Sequence, residues 1–152
     1  MDNDRNTLST LNKLIETCKD GEYGFQSCAE HVNSAELRSL FTARATDCRQ
    51  AATELQALVR QCGGEPEDSG SATGAMHRGW VAVKGTLAGY SDLAMLEECE
   101  RGEDAALERY REALEEDLPP QVRMVVERQF EGVKRNHMQV RTLRDQARAA
   151  HD

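Results

Sequence analysis

Apolar residues recur at alternating steps of three and four along the first part of the chain. Leu8, Leu11, Ile15, Cys18, Phe25, Ala29 and Val32 share one stripe, which predicts an amphipathic helix over about residues 7–32. Glu22 interrupts that stripe. A second stripe, with Leu37, Leu40, Phe41, Cys48, Ala51, Leu55 and Leu58, predicts a helix over about 34–62. Asn33 and Glu36 resemble a capping box at its start, and Gly63-Gly64 suits a left-handed C-cap. Leu96, Glu100, Glu103, Leu107, Tyr110 and Leu114 place a third helix over about 92–116, with Ser91 or Asp92 as its cap. Val122, Val126, Gln129, Val133, Asn136, Val140, Leu143 and Ala147 hold a heptad-like spacing. They predict a fourth helix over about 120–149, opened by Pro119-Pro120.

The polar stretch Glu65–Gly74 reads as a loop. A shorter helix is expected over about 75–88, carrying His77, Trp80, Val83 and Leu87. Its expected role is packing against the bundle or another subunit. Short connections make the first and last helix pairs antiparallel hairpins. The long connection between them has room to travel the length of a bundle. The expectation is one all-α domain over residues 1–152, a four-helix bundle of two hairpins joined by a crossover that holds a short extra helix.

Composition narrows the function. The chain has 152 residues, 39% of them hydrophobic, 30% charged and 5% aromatic. That suits a core of Leu, Val and Ala between helices. A formal net charge of −8 argues against a nucleic-acid partner, which demands a basic footprint, and against an anionic membrane surface. No apolar run approaches a membrane span and no segment reads as a signal peptide, so a cytoplasmic location is expected. Cys18, Cys28, Cys48, Cys62 and Cys99 form no CxxC pair and are odd in number. They read mostly as small buried hydrophobes rather than a disulfide framework or a zinc site.

The candidate chemistry lies where polar residues stand in apolar stripes: Glu22, Glu100, Glu103, Gln129 and Asn136, with His137 alongside. Arg44 or Glu54 faces inward on the second helix, depending on register. Glu97, Glu98 and Asp104 do not all fit the third stripe and read in part as a solvated face. Buried carboxylates must pair, take up protons or bind a cation. Arg44, Lys134 and His137 are candidate partners. Gly21, Gly24, Gly102 and Gly132 flank this layer; a glycine inside a helix costs about 1 kcal/mol relative to alanine, so they read either as close backbone approach or a local distortion of the helix, or as tolerated surface positions. Tyr23 and Tyr110 lie beside it in sequence.

The segments HRGW (His77–Trp80), CERGEDAAL (Cys99–Leu107) and DGEYGF (Asp20–Phe25) resemble an uncharacterised bacterial family of ferritin-like four-helix-bundle proteins, over about residues 7–146. The family carries no settled activity, so the resemblance implies a fold. The wider ferritin-like superfamily implies a test for a di-iron or di-manganese centre: Glu on the first and third helices, Glu-x-x-His on the second and fourth. Glu22 fills the first role, Glu54 the second, Glu100 or Glu103 the third, and His137 closes the fourth. Ala57 stands where the first histidine belongs and Lys134 where the last glutamate belongs.

Two functions follow from different classes. One is a non-catalytic, self-associating structural or stress-associated binding protein whose polar layer is held by ion pairs. The other is a metal-dependent oxidoreductase or metal-handling protein in which Glu22, Glu54, Glu100, Glu103 and His137 hold iron or manganese. No catalytic triad, phosphate loop or other nucleophile motif is present.

Overall fold

The computed structural model describes residues 2–68, 70 and 91–151. Four helices account for most of them: α1 Asp2–His31, α2 Ala35–Gln61, α3 Asp92–Glu115 and α4 Pro120–His151. The helix expected over about 75–88, with His77 and Trp80, lies outside the described residues.

The ends follow local chemistry. Helix α1 begins near residue 2 rather than 7. The cap of α2 is Ser34 rather than Asn33: its hydroxyl accepts from the Leu37 amide at 3.2 Å. Ser91 caps α3 in the same way through the Ala94 amide at 3.1 Å. Helix α2 closes on Gly63 at φ +82°, with Gly63 N–H bonded to Arg60 O and Gly64 N–H to Val59 O, both at 3.0 Å. This left-handed residue is where glycine costs least. Arg123 of α4 donates to the carbonyls of Leu114 (3.0 Å) and Glu116 (2.6 Å), satisfying the end of α3.

The topology is fixed by cross-contacts. Cys18 meets Tyr110 and Cys28 meets Cys99, so α1 and α3 run antiparallel. Arg44 bonds Gln139 and Glu54 bonds Arg128, so α2 and α4 do too. The Asp92 carboxylate accepts from the amides of Asn33 (2.7 Å) and Ser34 (3.2 Å), pinning the α1–α2 turn to the start of α3. Helices α2 and α3 therefore begin at the same end of the bundle, and the connection between them leaves from the opposite end.

The core has two apolar halves. One gathers Leu11, Leu14, Ile15, Leu55, Val59, Tyr110 and Val126. The other gathers Phe25, Phe41, Met95, Leu96, Cys99 and Val140. Glu22 lies between Cys18 and Phe25 along α1, and Glu103 between Cys99 and Tyr110 along α3, so both occupy the waist where the halves meet. Helices α1 and α2 approach closely there: a methyl added at Gly21 would stand 2.8 Å from Cys48 Sγ. Gly24 and Gly102 have open space instead, and Gly132 only a distant arginine tip, so close approach explains Gly21 alone of the four.

Candidate functional site

The expected ligands reach different places. Glu22 is buried at the waist and pairs with Lys19 of its own helix at 3.4 Å. Glu103 is 5% exposed, and its Oε1 has no hydrogen-bond partner among the described residues. Burial pushes its carboxyl up to about 8. Arg44 opposes that shift, while Asp104 and Glu100 add to it. Arg44 turns its guanidinium ends to Asp47 and Gln139, both at 2.7 Å, and its own Nε is buried with no partner among the described residues.

Glu54 stands on the α2–α4 seam, paired with Arg128 and accepting from Gln129 Nε2 at 2.8 Å. The Tyr110 hydroxyl donates to Gln129 Oε1 at 2.8 Å and meets Cys18 Sγ at 3.3 Å. A hydrogen-bonded chain thus runs Cys18–Tyr110–Gln129–Glu54–Arg128 and touches all four helices. Burial raises the Cys18 thiol to about 11 and the Tyr110 phenol well above its usual range, so both stay protonated. Tyr110 is the tyrosine of the layer; Tyr23 is 37% exposed.

Glu100 and His137 stand on the α3–α4 seam. Glu100 pairs with Arg144, His137 Nε2 meets Asp104 Oδ1 at 2.6 Å, and Glu97 meets Arg148 at 2.9 Å. Three acids on α3 face three bases on α4 in antiparallel order, a charge ladder. Lys134 does not serve the layer: it pairs with Glu131 at 2.8 Å and sits 4.6 Å from the Phe130 ring centre. Glu98 corrects the expectation of a solvated face. It is fully buried beside Cys99, and Arg101 reaches it at 3.4 Å.

Sequence reasoning missed Arg128, Arg144, Arg148 and the part played by Asp104. The signal was there in spacing: Glu97, Glu100 and Asp104 step by three and four, and His137, Arg144 and Arg148 by seven and four. Their pairing required the helix register.

A di-metal centre bridged by carboxylates does not fit this donor set. Among the described residues the one group of three metal-ligating side chains is Glu100, Asp104 and His137, whose donor atoms lie within 4.8 Å of one another. Glu22, Glu54 and Glu103 are not in it, and Arg144 already neutralises Glu100. The arrangement is one of internal charge pairing around Glu103, whose carboxyl burial pushes up to about 8. Among the described residues no helix is long and apolar enough to cross a membrane.

No curated protein matches the chain. Among solved structures it is similar to a DPS protein from Vibrio cholerae O1, described as a member of a broad superfamily of ferritin-like diiron-carboxylate proteins. The TM-score is 0.71 at 11% identity, over 93% of this chain and 91% of that one. The shared fold is the ferritin-like four-helix bundle. A family described as a domain of unknown function (DUF2383) matches residues 6–116, most of the sequence, and the chain belongs to that uncharacterised ferritin-like family.

Proposed function

We propose that this protein is a non-catalytic ferritin-like bundle, cytoplasmic and self-associating, that serves as a structural or stress-associated binding protein. Its polar layer is held by ion pairs in place of metals. The observation that carries this reading is the ladder between α3 and α4, where Arg148, Arg144 and His137 meet Glu97, Glu100 and Asp104. Arg128 acts likewise on Glu54. A guanidinium on a carboxylate supplies the positive charge a metal would supply and competes for its ligand.

The test is metal content. Protein loaded anaerobically with ferrous iron and desalted should retain no stoichiometric metal, and Glu100→Ala should leave the content unchanged. Two metals per chain, lost in Glu54→Ala and Glu100→Ala, would overturn the reading. Light scattering tests self-association separately.

The second reading, metal handling with iron or manganese, has one observation in its favour: the gathered Glu100, Asp104 and His137. It predicts a single site per chain that His137→Ala removes.

A further inference from the structure

Cys28 of α1 and Cys99 of α3 lie side by side in one apolar half of the core. Both are buried, at 2% and 7% exposure, and their sulfurs are 3.2 Å apart, with the Cys99 thiol donating to Cys28 Sγ. Closing that gap by about 1.2 Å would bring the sulfurs to disulfide bond length. Among the described residues no third metal-ligating side chain gathers with them, so the pair is not a chelating site for a metal. The remaining cysteines are placed differently. Cys18 is engaged by Tyr110, Cys48 is packed at Gly21, and Cys62 is exposed at the end of α2.

We propose that Cys28 and Cys99 are a redox pair that forms a reversible disulfide with a hydroperoxide, stapling the first hairpin to the second. Hydrogen-bond direction assigns the roles. Cys28 Sγ attacks one peroxide oxygen and the O–O bond breaks. The departing hydroxide takes the Cys28 proton and leaves as water, and Cys28 becomes a sulfenic acid. Cys99 Sγ then attacks Cys28 Sγ, the S–O bond breaks, and a second water leaves with the Cys99 proton. Two thiols lose two electrons in total, and one hydrogen peroxide is reduced to two waters. A dithiol reductant reverses the staple by exchange.

Burial, with Glu103 and Glu98 nearby, pushes the Cys99 thiol well above its usual range. The pair should therefore oxidise more slowly than a free cysteine and answer to sustained rather than brief exposure. The bond would close a loop across 71 positions of sequence that includes the long connection between the hairpins. Removing that freedom from the unfolded chain should raise the Tm by about 10 °C.

The experiment uses the full chain carrying Cys62→Ala, which leaves four of the five cysteines. Folded protein is treated with hydrogen peroxide, denatured, alkylated and examined by intact and peptide mass spectrometry. The expected result is a loss of about 2 Da, two alkylatable thiols instead of four, and a crosslinked peptide joining Cys28 to Cys99. Dithiothreitol should restore all four, and the oxidised form should melt higher. The same treatment in denaturant should give mixed pairings, which shows that the fold selects the pair. Cys28→Ala or Cys99→Ala should abolish the crosslink. Four alkylatable thiols after native oxidation, a crosslink elsewhere, or no gain in Tm would overturn the proposal.

Discussion

One half of the core and the waist beside it handle polar groups in opposite ways. In the half around Leu55 and Tyr110, each polar group in the chain from Cys18 to Arg128 has a partner. At the waist, Glu103 Oε1 and Arg44 Nε are buried and unpartnered among the described residues. Both regions began as the same sequence signal, a polar residue in an apolar stripe. The difference lies in the neighbours. Gln129 and Tyr110 are neutral and two-sided, so they accept and donate in series and spread one carboxylate's demand over four helices. Glu103 has no such relay, and its carboxyl responds by holding a proton.

The largest expected effects come from removing apolar bulk in each half. Leu55→Ala and Phe41→Ala should each lower unfolding free energy by about 3–5 kcal/mol in urea titrations. A single transition in both variants would show that the halves unfold together across the waist; two transitions in either would show the waist to be a seam between independent units.

Next is a pH effect confined to the unsatisfied side. Glu103 titrates near its ordinary value of 4.5 when unfolded and near 8 when folded, so between those values the folded chain binds more protons. Its contribution to stability is full below about pH 4.5 and is lost as pH rises through 8. The loss is on the order of a few kcal/mol. Urea midpoints should fall from pH 5 to pH 9 in the parent protein, and Glu103→Gln should flatten that fall.

Smaller again is Tyr110→Phe on the satisfied side. It removes the donor to Gln129 and the partner of Cys18, and should cost about 1 kcal/mol with little change in pH dependence. The smallest effect belongs to the ladder. Glu97→Gln should shift the urea midpoint slightly at low salt and hardly at all at high salt, because screening weakens an exposed pair.

Much of this contrast was written in the sequence. The four stripes are long and regular enough to specify helices, and Glu22 and Glu103 are buried where their stripes put them. Ala57 and Lys134 already marked the departure from a di-iron ligand set. Two things were not legible. Glu98 sits beside the α3 stripe yet is fully buried, because Met95, Leu96, Glu98 and Cys99 are all covered. At that height α3 is enclosed over a wider arc than one stripe describes. The arginines were visible as residues but not as partners. Which base meets which acid depends on how two antiparallel helices slide past one another, and hydrophobic spacing leaves that open by a turn.

Guanidinium groups supply the positive charge that Glu54, Glu97 and Glu100 require. Scanning calorimetry of the anaerobic protein with and without excess ferrous or manganous ion tests it most directly, since a ligand that binds only the folded state raises its melting temperature. Melting temperatures should be unchanged by either ion. A rise of about 5–10 °C, as expected when metal exceeds its dissociation constant a hundredfold, that disappears in Glu54→Ala and Glu100→Ala would contradict it.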